Sequence, residues 1–191
     1  MIPVLSVRLP WAWWLLNGPE KGKAWKDIEN RTWPAKYRGP IFIHASSVCK
    51  RAEWDAACVY INASLDEIAL HGIDMATPDF DVLRDIAGKV IGIVDLVDCV
   101  REHTSPWFNP GGYGFVMARP RLLDTPVAIK CPSPRIWTPT TRLIGKTSHG
   151  LLSAQQFHHL CDDDNAHAEI SPSLRGDNFR RVVLSDSESS K

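Results

Sequence analysis

The twelve residues Lys89 to Val100, KVIGIVDLVDCV, constrain the fold more than any other stretch. They are apolar at odd and even positions alike, and their length and β-branched content read as a strand. Ile91, Ile93, Val97 and Cys99 share one face with Asp95. A carboxylate in an apolar row must be paired or sit at an open edge. The edge is the plainer expectation; the alternative is a carboxylate facing a lysine-rich site.

Shorter segments follow the same logic. Val4 to Leu9 reads as a first strand, and Ile41 to Ala45 as another, with Ile41, Ile43 and Ala45 on one face and Phe42 and His44 on the other. His44 is either a structural residue or a site base. Gly111 to Met117 is a glycine-rich start to a strand that lets backbone approach closely, without the spacing of a phosphate loop. Leu122 to Ile129 alternates around Pro126, as an edge strand does. Pro10 starts a helix that stops at Gly18, and Lys50 to Leu70 is a second helix with a break near Asn62, its Trp54, Cys58 and Ile61 in register for packing. His71 to Asp79 and Arg101 to Pro110 read as irregular. Short strands at this spacing predict an α+β chain, a small mixed β-barrel with flanking helices and not a parallel βαβ sheet.

Residues 1–131 are read as the barrel domain and 132–191 as an extension. The extension holds a proline spacer, a short helix over Ser153 to Cys161, an acidic run at Asp162 to Asp164, and a disordered end, SDSESSK. A chain of 191 residues has room for one proper core, and it has no long apolar run that would span a membrane. Five scattered cysteines (49, 58, 99, 131 and 161), none in a CxxC pair, predict reduced thiols and a cytoplasmic location. His158, His159 and Cys161 are potential metal donors but lack a second well-spaced pair, so no metal or other cofactor is expected.

Charge is balanced overall but not along the chain. Residues 1–51 hold nine Lys and Arg against three acids, while the other residues hold thirteen against nineteen. Such asymmetry suits a surface that meets phosphate; the alternative is a solvated face paired with acids from elsewhere. Within this first segment lies the densest polar and aromatic stretch, WKDIENRTW, from Trp25 to Trp33. At a period of two, Glu29 and Arg31 share a face and Lys26 does not, so the three meet only if Lys26 stands just outside the strand on a turn. A site mouth suits that arrangement.

Four segments in order, LSVRLPWAWWLLNG, KDIENRTWPAKYRGPIFIHAS, GKVIGIVDLVDCV and GGYGFVMARPRLL, resemble the ASCH family of the PUA-like superfamily over about Leu5 to Ile129. The family's GxKxxExR fingerprint falls on Lys26, Glu29 and Arg31. The resemblance implies a small β-barrel with a cleft beside this motif, and RNA or nucleotide binding. Some similar members are ribonucleases, or amidohydrolases acting on N4-acetylcytidine. This chain has Ala24 where the family has glycine, a longer basic lip from Pro19 to Trp25, Leu9 in place of a common glutamine, and Glu29 where amidohydrolase members carry threonine.

Two functions follow as expectations. In the first, the chain binds single-stranded RNA or a nucleotide: Lys26, Arg31, Arg8 and Arg38 grip phosphate, Trp11 or Tyr113 stacks on a base, and Asn30 and Trp33 complete the binding set. In the second, it is a metal-independent hydrolase with Lys26 and Glu29 as acid and base. Trp11 and Tyr113 could equally be core residues, and the charged motif could be a buried salt-bridge network that closes the barrel.

Overall fold

In a computed structural model, residues 2–20, 22–69, 76–129, 135–136, 146–147, 150–151 and 179–181 are described. The elements run β1 (Val4–Val7), α1 (Trp11–Trp14), β2 (Ile28–Arg31), β3 (Gly39–Ala45), α2 (Arg51–Ala69), β4 (Ala76–Pro78), α3 (Phe80–Ile86), β5 (Lys89–Val100), β6 (Tyr113–Ala128), β7 (Lys146–Thr147), β8 (Gly150–Leu151) and β9 (Phe179–Arg181). The expected helix at Ser153 to Cys161, its two histidines, Cys131 and the SDSESSK end lie outside the described residues.

Five strands form one curled, mixed sheet in the order β1-β3-β5-β6-β2. β1 runs parallel to β3, with Ser6 beside His44; the other neighbours are antiparallel. The fold is therefore α+β, a half-barrel whose open margins are β1 and β2. Two-residue ladders join β7 to β8, and β9 pairs antiparallel with β4, so part of the segment expected as a loop is a strand.

β5 lies at the centre of the sheet, which explains why it is apolar on both faces. Its inner face joins Leu5, Val7, Ile41, Ile43, Val94, Leu96 and Phe115 in the main core, and its outer face joins Val4, Phe42, Val90, Ile93 and Val127 in a second cluster. Burying each large side chain of this kind is worth roughly 1.5–3 kcal/mol. Register shifts after Val90, Ile93 and Leu96 break the strict alternation, so Ile91 turns into the main core although its even-spaced partner Ile93 does not.

Central placement also corrects the reading of Asp95. It is 3 % exposed and lies on the central strand, not at an edge. Instead, Arg119 donates to one carboxylate oxygen through Nε, and Arg121 approaches the other at 3.4 Å. Both cations come from β6, which is why no local pattern around Asp95 identified them. The stretch expected as a separate edge strand, Leu122 to Ile129, is the continuation of that same long β6.

The first helix is shorter than expected. After one turn, Leu15, Leu16 and Asn17 close with bonds to the carbonyls of Trp11 and Trp13, and the Asn17 side-chain amide donates to the Trp13 carbonyl at 3.0 Å. A side chain competing for helical carbonyls ends a helix early. The chain then loops out as a lip and returns: Trp25 N–H donates to Asn17 O at 2.7 Å and Lys26 N–H to Trp14 O at 3.0 Å. Gly18 permits this closure, because a Cβ there would stand 2.1 Å from the Lys23 carbonyl oxygen.

Candidate functional site

Anchoring the lip on α1 places Lys26 two residues before β2, outside the strand, as the spacing of the motif requires. Its side chain then meets those of β2. Lys26 Nζ lies 2.8 Å from Glu29 Oε2, Arg31 Nη2 lies 3.1 Å from Glu29 Oε1, and Nζ also donates to the Ile28 carbonyl. The triad is thus a single cluster: one carboxylate holds a cation on each oxygen.

The cluster is not wet at its base. Lys26 is 3 % exposed, Glu29 9 % and the Arg31 side chain 16 %, so the cluster is closer to the buried ion-pair network than to the open site mouth that the spacing suggested. Removing such charges from water is tolerated when they neutralise one another and their donors are used. Two cations on one anion leave one net positive charge, and Arg31 is the member nearest solvent. Arg31 Nη2 also donates to the Ser6 carbonyl on β1 at 2.7 Å, while its buried Nε has no partner among the described residues. Because β1 and β2 are opposite margins of the sheet, this bond ties the half-barrel shut at one point. Sequence reasoning missed Ser6, which contributes a main-chain atom and carries no side-chain signal.

The glycines before β6 have the role foreseen for them. A Cβ on Gly112 would lie 2.7 Å from the Arg31 carbonyl oxygen, so the backbone of this turn is pressed against the end of β2.

The remaining expected site residues are divided among different neighbours. Arg8 is exposed and pairs with Glu53 of α2 at 3.3 Å. Trp11 is half-buried and meets Trp14, Tyr60 and Trp107 edge to face. Asn30 lies on the other face of β2, where its amide donates to Trp107 O at 2.7 Å and accepts from Asn109 N–H at 2.9 Å; it holds the loop between β5 and β6. Trp33 packs edge-on against Phe115, with the Arg135 guanidinium 5.6 Å above its ring. Arg38 donates to the Ala35 and Tyr37 carbonyls and pairs with Asp98 at 3.1 Å. Tyr113, directly across from Arg31 in the ladder, accepts from Arg101, whose guanidinium stacks 4.7 Å from the ring.

Titration behaviour singles out groups beside the motif. His44 is almost fully buried and hydrogen-bonded to Ser6 Oγ through Nδ1 at 3.0 Å. Burial pushes its imidazole below the ordinary range, only partly opposed by the nearby Gly88 and Ile129 carbonyls. Those carbonyls fall short of hydrogen-bond geometry, so Nε2 has no partner among the described residues. At the surface, the Cys99 N–H and then Arg38 hold the Asp98 carboxyl below its usual range. Burial pushes the Cys49 thiol up; none of Cys49, Cys58 and Cys99 is in a disulfide. No group of three metal-ligating side chains exists among the described residues, and no helix there is long and apolar enough to cross a membrane.

An opening lies on the other side of the same segment. A cleft of about 270 Å³ is lined by Lys23 and Ala24 of the lip, by Asp27 and Leu15, and by Met117 and Arg119 of β6. It does not include Lys26, Glu29 or Arg31.

The chain matches no protein-family model, and no curated protein sequence matches it.

Proposed function

We propose that this chain is an RNA- or nucleotide-binding protein of the ASCH type within the PUA-like superfamily. The observation that carries the proposal is the surplus charge of the Lys26–Glu29–Arg31 cluster. Two cations share one carboxylate, and the guanidinium of Arg31, whose side chain is 16 % exposed, is fixed by Glu29 and by the Ser6 carbonyl. A cation held in place before its anion arrives loses less conformational freedom on binding. Arg8, one residue past β1, is exposed with its guanidinium on Glu53, and Trp11 offers a half-buried ring nearby in sequence. The curled five-stranded sheet is compatible with the small barrel such a protein would have.

A hydrolase using Lys26 and Glu29 draws less from this geometry. A lysine acting as base needs a free lone pair on Nζ, whereas this Nζ donates to a carboxylate and a carbonyl.

Fluorescence anisotropy with a labelled single-stranded RNA tests the proposal. Binding should weaken steeply between 50 and 200 mM salt, roughly in proportion to the phosphates contacted. Arg8→Ala should weaken it about three- to tenfold without altering the fold, and Arg31→Lys should weaken it further. RNA binding that is absent, or indifferent to both substitutions, would overturn the reading.

A further inference from the structure

We infer that residues 102–110, between β5 and β6, are a strap that closes over the indoles of Trp11 and Trp14 and is latched there by Asp27 and Asn30. The inference rests on the proposed binding function only in what the strap governs, which is access to the Trp11 ring. Three observations carry it.

First, the strap is fastened by side chains. Among the described residues its one main-chain hydrogen bond, Phe108 N–H to Ser105 O at 3.0 Å, is internal. Its polar ties to the rest of the fold come from the stretch that carries the charged motif. Ser105 Oγ donates to Asp27 Oδ1 at 2.6 Å, the Asn30 amide donates to Trp107 O at 2.7 Å, and Asn30 Oδ1 accepts from Asn109 N–H at 2.9 Å. A segment held by a few bonds near the surface opens at lower cost than the whole molecule.

Second, both ends suit a pivot. Gly111 stands at φ 95, which glycine adopts without strain, and a Cβ there would meet nothing within 4 Å among the described residues. At the other end the exposed Arg101 is pinned outside the strap, stacked 4.7 Å from the Tyr113 ring and bonded to its hydroxyl. Gly112, pressed on the Arg31 carbonyl, marks where the swing stops.

Third, the strap covers something incomplete. Trp107 is 5 % exposed, with its ring centroid 6.4 Å from that of Trp11 and 6.2 Å from that of Trp14. The Trp14 indole is fully buried, and its N–H has no acceptor among the described residues. A buried donor without an acceptor is costly, and opening the cluster lets water supply one. The latch and the burial of Trp107 oppose that tendency, so the closed strap is held and not merely packed.

Hydrogen exchange followed by mass spectrometry on the full chain tests the device. Peptides covering residues 102–110 should exchange at least about tenfold faster than those of β3 and β5. Ser105→Ala removes the Asp27 bond and Asn30→Ala the other two. Each should quicken strap exchange about fivefold or more while β3 and β5 keep their rates, and Ser105→Thr should restore the parent rate. In fluorescence anisotropy with a labelled single-stranded RNA, Ser105→Ala should bind about threefold or more tightly, because apparent affinity scales with the population of the open state.

Strap exchange as slow as that of β5, or quickened only in step with β5 in both variants, would overturn the inference, since the segment would then open only with the whole molecule. Quickened strap exchange with RNA affinity unchanged or weakened would overturn the control of Trp11. RNA binding absent from parent and variants alike would remove the binding reading alone, and the strap would stand or fall on exchange.

Discussion

The Arg31 guanidinium, on the last residue of β2, donates to the main-chain oxygen of Ser6 on β1 at 2.7 Å, joining the two outermost strands of a sheet in which three others separate them. Arg31→Ala removes that donor and also one of the two cations on a buried carboxylate. We expect a loss of about 3 kcal/mol, since breaking a buried pair leaves uncompensated charge. Arg31→Lys should recover part of it, because a single ammonium cannot reproduce the planar fork. Urea denaturation checks both; an unchanged midpoint in the alanine variant would show that the margins are held by something else.

The Lys26–Glu29 pair should behave as a coupled unit. Glu29→Gln leaves two cations facing a neutral amide and should cost about 3–5 kcal/mol, while Lys26→Met keeps the volume and leaves Glu29 with Arg31. The double variant should be less destabilised than the sum of the singles by about 1–3 kcal/mol. Strict additivity in a denaturant series would mean that the 2.8 Å contact contributes nothing.

Stability should fall in mild acid because of His44. Burial holds its imidazole below the ordinary value of 6.5, so the unfolded chain takes up protons first as the pH drops. Stability is then complete above about pH 6.5 and declines as the pH falls from there towards the folded-state value. Urea midpoints from pH 7.5 to 5 should show this slope, and His44→Gln should flatten it whatever its effect at neutral pH. An equally steep slope in the variant would assign the effect to other groups.

Gly18→Ala should loosen the lip. Its methyl group would meet the Lys23 carbonyl at 2.1 Å, a main-chain atom that cannot swing aside. Relieving the overlap should cost about 1–3 kcal/mol. Limited trypsin digestion should cut faster after Lys23 in the variant than in the parent; equal rates would indicate that the loop adapts freely.

Much of the fold was legible because it is local. β1, β3, α2 and β5 announce themselves through alternation or helical spacing, and the odd spacing of Lys26 against Glu29 and Arg31 led to a turn before a strand, where Lys26 stands. Asp95 was misplaced because its partners, Arg119 and Arg121, are assigned by register across a bulged ladder, which no window around residue 95 contains. Lys26 suits a site mouth by its spacing and is buried by topology, since only the assembled sheet surrounds it with Glu29 and a carbonyl. α3 was missed: its seven residues, FDVLRDI, are too few for a helical period to stand out from the loop before them.

β6 is sixteen residues long and serves two neighbours in succession. Its Tyr113 lies across from Arg31, and its Met117 and Arg119 line the cleft. Side chains on a strand alternate, so inserting or deleting one residue between 113 and 119 would turn one of these groups inside out relative to the other. Evolutionary or engineered changes of length should consequently be refused in this short span.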